Sequence, residues 1–269
     1  MTKRELRAIS VNVLDEKVTM SRRDIVRGLA AGTVVVFAPA CAYNEELGRN
    51  QLLFVSSGQM AQLADSAWTD LKRQQPVTRN ARYISRVERV APRVIAASGG
   101  DPSQWEVQVF DSDQLNAFAL PGGKIGFYTG ILDFMDNDDQ IATVLGHEAA
   151  HVNYNHSAER YSQSTLAQSG LTVAQVATSG SQYSNQIMGV LGMGASLGVI
   201  LPFSRKHELE ADKFGLRYMH RAGYEPEQAV AFWEKLAAQK AGDGPPAYLS
   251  THPSDATRIA QLKREIALL

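Results

Sequence analysis

The chain predicts an α+β fold, mainly helical, with a small antiparallel sheet packed on the helices. Three observations carry this. Several stretches repeat apolar residues three and four apart, the mark of helices with one buried face. Three short runs between residues 105 and 129 alternate or run apolar between Gly, Asp and Pro, as strands do. Hydrophobic residues at 44% and charged residues at 20% supply 269 residues with one sizeable core or two small ones, and no internal repeat divides the chain.

In order, residues 58–74 and 80–97 carry helical spacing, and Ser98-Gly99-Gly100-Asp101-Pro102 stops the second helix. Strands are predicted over residues 105–110, 117–120 and 124–129. Asn137-Asp138-Asp139-Gln140 then opens a helix with a capping-box-like start and acidic first turn, and Ile141, Val144, Leu145 and Val152 form its buried face. A Ser/Gln-rich helical stretch follows to about residue 186. Residues 187–203 are uncharged. Four Gly, a Pro near the end and marginal length favour a buried helix or a mobile lid over a membrane-inserting element. Residues 227–239 and 256–268 close the chain as helices.

Residues 1–40 stand apart from this domain. A twin arginine, Arg22-Arg23, precedes an apolar run over residues 28–40 that is too short to span a bilayer. The run ends at Ala38-Pro39-Ala40 before Cys41, the chain's only cysteine, in the order of a bacterial lipoprotein export signal. The expectation is a signal peptide over residues 1–40 with lipid on Cys41, and a mature domain over residues 41–269. A core helix ending in a buried Cys is the plainer alternative. Ala42 after the Cys directs such a lipoprotein to the outer membrane, on the periplasmic face of a bacterial envelope. With a net charge of −1 and no basic block, no nucleic-acid partner is expected.

The chemistry is concentrated in His147-Glu148-Ala149-Ala150-His151. Residues four apart on a helix share a face, so the two imidazoles reach one tetrahedral zinc ion, while Glu148 points to the open position as a base. Two ligands leave the site incomplete. A metzincin extension needs Gly at 154 and His at 157, but Tyr154 and Ser157 stand there. Further on, Glu208 and Asp212 are again four apart on a predicted helix; one carboxylate suffices as a ligand while the other accepts the Nδ1–H of a ligand histidine. Taken alone, that charged stretch reads as a solvated helix face.

H-E-A-A-H followed by Ser204-Arg205 and then Glu208, Glu210, Ala211 and Asp212 resembles the gluzincin metallopeptidase family of the CaaX prenyl protease. That family includes bacterial periplasmic lipoproteins and the mitochondrial inner-membrane protease with overlapping activity. Asn116-Ala117-Phe118-Ala119-Leu120-Pro121-Gly122-Gly123 and Ser250-Thr251-His252-Pro253-Ser254 with Arg258 extend the likeness over about half the chain. The resemblance implies a zincin-like fold and one Zn2+ held by His147, His151 and Glu208, with Glu148 as general base and Asp212 behind His147. It also makes His252 or Arg258 the donor to a tetrahedral oxyanion. An alternative for His252, flanked by Thr251 and Pro253 after the turn-rich Gly242-Asp243-Gly244-Pro245-Pro246, is a latch that occupies the open zinc position.

The resulting expectation is a zinc endopeptidase cleaving unfolded or misassembled envelope polypeptides. Gly122, Gly123, Lys124, Ile125 and Gly126 are expected to form the edge strand on which an extended substrate pairs. The alternatives are a chaperone-like outer-membrane scaffold with a latent zinc site and a zinc hydrolase acting on something other than peptides.

Overall fold

A computed structural model of the chain describes residues 9–13, 16–20, 41–168, 203–239, 246–253 and 256–269. Two hairpins come first. Strand β1 (Ile9–Val13) pairs antiparallel with β2 (Glu16–Met20), and β3 (Cys41–Asn44) with β4 (Arg49–Leu52). Helix α1 (Ser57–Gln74) starts at a capping box made by Ser56 and Gln59, and α2 (Ala81–Ala97) at Asn80. Both fall where apolar spacing predicts them. The pattern in residues 41–52 was too short to signal the β3–β4 hairpin.

Strands β5 (Glu106–Phe110), β6 (Ala117–Leu120) and β7 (Lys124–Tyr128) form one sheet in the order β5-β7-β6. Two expectations are corrected here. The sheet is mixed, not antiparallel: β6 pairs antiparallel with β7, but β5 runs parallel to β7 because the β6–β7 hairpin folds back and lays its second arm against β5. Residues 122–129 therefore form no edge. Strand β7 is central, with Ile125 opposite both Val107 and Ala119, so its backbone has no side left for a substrate strand. The glycines there serve the fold. Gly122 and Gly123 turn the hairpin at positive φ, and a side chain on Gly126 would collide with the Phe118 ring.

The sheet is covered on both faces, which is why its strands read as near-continuous apolar runs. Phe110, Phe118 and Tyr128 face α1 and its Trp68 in one aromatic cluster. Val109, Ala117, Ile125 and Phe127 alternate to the other side and join the main core with α2.

At the centre of that core lies α4 (Asp138–Asn153), which follows the short α3 (Thr129–Phe134) and is buried from Gln140 to His151. Asn137 caps it, accepting from Gln140 N, as its sequence predicts. Helix α5 (His156–Gln168) follows, then α6 (Arg205–Arg221), α7 (Glu227–Ala238), the short α8 (Ala247–Thr251) and α9 (Ala256–Ile266). The stretch at 187–202 lies outside the described residues, as does most of the turn-rich segment at 242–246. Among the described residues no helix is long and apolar enough to cross a membrane.

Helices α4 and α6 touch backbone to backbone. A Cβ on Gly146 would lie 2.7 Å from the Gly215 carbonyl oxygen, and one on Gly215 would lie 2.8 Å from His147 N. No flexible side chain stands there to give way. Gly215→Ala is expected to cost about 1–3 kcal/mol in chemical denaturation and to lower zinc affinity by pushing the helices apart. Gly58→Ala, in a helix with nothing within 4 Å, is the control and should be neutral or slightly stabilising.

Candidate active site

Helix α4 presents His147, Glu148 and His151, and α6, capped by Ser204, presents Glu208 and Asp212 one turn apart. The glycine crossing puts these two sets face to face. His147 Nε2 and His151 Nε2 lie 3.0 Å apart, and each is 3.4 Å from an oxygen of Glu208. His252, the residue after α8, brings its Nδ1 to 3.2 Å from His147 Nε2 and 3.1 Å from Glu208 Oε1. One donor atom from each of these four buried residues falls within 4.8 Å of all the others. A tetrahedral site with bonds of about 2.1 Å has ligand–ligand edges of roughly 3.4 Å, so this donor set and spacing fit a zinc-sized cation.

Behind His147, Asp212 Oδ1 accepts from Nδ1 at 2.9 Å. Arg258 on α9 donates to both Asp212 oxygens, reaches Glu208 Oε2 at 2.8 Å, and lies over the Trp233 ring at 3.6 Å. Arg258 is thus packed among ligand-side carboxylates, which is the geometry of a clamp on them and not of a donor aimed into an open cleft. Burial opposes the charged forms of Glu208 and Asp212, but Arg258 and the neighbouring histidines together outweigh it and hold both carboxyls below their usual range. Burial likewise opposes a charged His147, yet Glu208 and Asp212 lift it to about 9. Burial pushes His151 well below its ordinary value.

Glu148 is buried beside this cluster. Tyr248, on α8, donates its hydroxyl to Glu148 Oε1 at 2.9 Å, and His252 Nε2 stands 3.5 Å from the same oxygen. Burial raises the Tyr248 hydroxyl well above its ordinary value, which keeps it a donor. The Phe203 ring lies 3.9 Å from that of His151, and the Arg160 guanidinium lies over the Phe203 ring at 3.7 Å. An open cavity of about 320 Å³ approaches His151 between the start of α1, Pro121 and Gly122, and the α4–α5 turn.

Sequence reasoning passed over Tyr248, His156, Arg160 and Arg49. Tyr248 lies four residues before His252 on a helix too short to show a period, and His156, five residues after His151, falls outside the four-residue step that marks the ligand pair. Of the remaining expected residues, Cys41 opens β3 and pairs with Leu52, while Arg22-Arg23 and residues 38–40 lie outside the described residues.

The family described as Peptidase family M48 matches residues 78–266, a span that includes every residue of the cluster. The chain belongs to peptidase family M48. Within this M48 family, similar relatives include Mitochondrial metalloendopeptidase OMA1 of Schizosaccharomyces pombe, 38% identical over 66% of this chain and 54% of the relative. The protein of the same name from Arabidopsis thaliana is 33% identical over 76% of this chain and 41% of its own length. Beta-barrel assembly-enhancing protease of Escherichia coli is 26% identical over 87% of this chain and 50% of the relative. The chain spans about half the length of the curated relatives it matches. M48 membership is the coarser form of the expected resemblance; nothing ties the chain to the CaaX prenyl protease type in particular.

The expected location is corrected. Relatives with the higher identities are mitochondrial, from two yeasts and a plant, and the Escherichia coli protein is more distant, so a bacterial outer-membrane lipoprotein on the periplasmic face is not upheld. The reading rested on a twin arginine and a few small residues before one Cys, features short enough to arise without export.

The raised proton affinity that Glu208 and Asp212 give His147 against its burial makes a measurable signature of this M48 site. The proton on His147 competes with a metal ion, and competition ends above its raised value of about 9. Zinc affinity is expected to rise with pH from neutrality to about 9, with proton release on binding. Titration calorimetry in two buffers of different ionisation enthalpy measures that proton, and Asp212→Asn should reduce the release at pH 7.5.

Proposed function

We propose that the chain is a zinc-dependent endopeptidase acting on unfolded segments of polypeptides, and that His252 holds it latent. The observation that carries the reading is the convergence of His147, His151, Glu208 and His252 beside a buried Glu148 that belongs to none of the four. A zinc ion held there supplies Lewis acidity, polarising a carbonyl and lowering the pKa of water toward about 7.

The chain's own groups do the rest. Glu148 takes the proton of the attacking water and returns it to the leaving amine. Tyr248 holds Glu148 by the hydrogen bond to Oε1 and, once Glu148 is engaged elsewhere, has a hydroxyl free to donate to developing negative charge. Asp212 and Arg258 fix the tautomer and orientation of His147. Substrate pairs on β6, whose side away from β7 has no partner strand among the described residues. Main-chain pairing demands an extended peptide, which selects unfolded segments with modest side-chain preference.

His252 supports latency by its position. Three protein ligands suit a catalytic zinc site and a fourth closes it. With Nδ1 among the ligands and Nε2 toward Glu148, His252 occupies the space a substrate carbonyl needs. The same four-donor arrangement favours a second reading, a chaperone-like scaffold with structural zinc.

Glu148→Gln is expected to retain one zinc per chain and lose casein cleavage, whereas His147→Ala, His151→Ala and Glu208→Ala lose zinc in a metal assay. A scaffold shows no cleavage in either wild-type or His252→Ala protein. His252→Ala should raise basal cleavage if the imidazole is a latch; a fall of about 10²-fold or more assigns it to oxyanion stabilisation instead. Denatured casein should be cut faster than a compact, loop-free protein, and equal rates would remove the β6 pairing.

A further inference from the structure

His147 has Asp212 behind it, but the other α4 histidine has a different backing. A neutral His151 that binds metal through Nε2 carries its hydrogen on Nδ1. That Nδ1 lies 3.0 Å from Nδ1 of His156, at the start of α5, and both side chains are buried. Asn155, at φ 52, makes the turn that swings α5 back so that His156 meets His151. Two ring nitrogens at this distance need one hydrogen between them. With that hydrogen on His151, the hydrogen of His156 sits on Nε2, which is 3.2 Å from Glu210 Oε2, within reach though off the line of an ideal hydrogen bond.

Glu210 is itself held. Arg49 on β4 donates Nε and Nη2 to its two oxygens at 2.6 and 2.7 Å, and turns its other edge to Glu159 at 2.7 and 2.9 Å. Glu159 lies 3.2 Å from His207 Nε2, and the His207 ring stacks on His156 with centroids 4.7 Å apart. Gln51, also on β4, donates to Glu159 at 3.0 Å and to the Tyr154 carbonyl at 2.7 Å.

We propose that His156 is a positioning residue for His151, the middle of a His151–His156–Glu210–Arg49 relay locked by the β3–β4 hairpin. Each ligand histidine of α4 is then backed by an acid gripped by an arginine. For His147 the acid makes direct contact, and for His151 an imidazole is interposed. The proposal rests on the reading of the cluster as a zinc site. A network that only stabilised the fold would change melting behaviour without touching the metal.

The test compares His156→Phe, which keeps a ring on His207 but no nitrogen, with His156→Gln, whose amide can accept from His151 and donate toward Glu210. Zinc affinity is measured by chelator competition, and coordination by the visible spectrum of the cobalt-substituted protein. His156→Phe and Glu210→Leu are expected to weaken zinc by about 10–100-fold and shift the cobalt bands, with His156→Gln within about threefold of wild type. Wild-type affinity and spectrum in either folded Phe or Leu variant overturn the proposal, as does a Gln variant as impaired as the Phe one. Wild-type protein that takes up no zinc overturns the site reading and the relay with it.

Discussion

The close crossing of α4 and α6 at Gly146 and Gly215 is the constraint on which the site depends. The backbones approach until a single Cβ on either glycine would clash with main-chain atoms of the other helix. One residue beyond Gly146 stands His147, and three residues before Gly215 stands Asp212. The hydrogen bond between them and the 3.4 Å approach of Glu208 to both α4 histidines are made across that same crossing.

Crowding this many ionisable groups into a dry centre is costly unless the charges are matched. The match here is layered. Glu208 and Asp212 share Arg258, Glu159 and Glu210 share Arg49, and in each case burial disfavours the carboxylate while a neighbouring histidine and the arginine together restore it. The two arginines grip α6 from opposite ends of the chain, one from β4 and one from α9. Arginine suits both places, since its planar fork engages two oxygens at once and its charge survives burial. Lysine at either position would satisfy charge but not geometry.

The sequence exposed the parts of this design that are local. The H-E-A-A-H spacing places two imidazoles on one helical face, Asn137 announces the start of α4, and Glu208 with Asp212 repeats the four-residue step. Breakers after Ala97 and the apolar runs at 105–110, 117–120 and 124–129 marked the elements to within a residue at each end. What stayed hidden depends on how elements are brought together. Strand order is one case: the period-two pattern of β7 is the same whether it lies at an edge or in the middle, so the substrate edge was misassigned. Arg258 is another, since nothing in its surroundings in the sequence says that its partner Asp212 lies 46 residues earlier on α6. His156, Arg49 and Tyr248 were illegible for the same reason.

Long-range closure also ties metal binding to folding. Arg49 meets Glu210 across 161 residues, Arg258 meets the His147 ring across 111, and His252 reaches the same ring across 105. The four donors therefore have no shared geometry in an unfolded chain, and a metal ion held by them binds the native state almost exclusively, stabilising it by mass action. His252 differs from the carboxylate donors in where the fold holds it. His252 leaves a five-residue helix followed by a short connection to α9, whereas Asp212 and Glu208 sit inside the seventeen-residue α6. Helix α8 is small but packed, with Tyr248 and Thr251 buried and Tyr248 stacked on Trp233, while displacing Glu208 disturbs the glycine crossing itself. On the proposed latch, opening the site for a substrate means moving His252 with the short α8, while His147, His151 and Glu208 stay where α4 and α6 hold them.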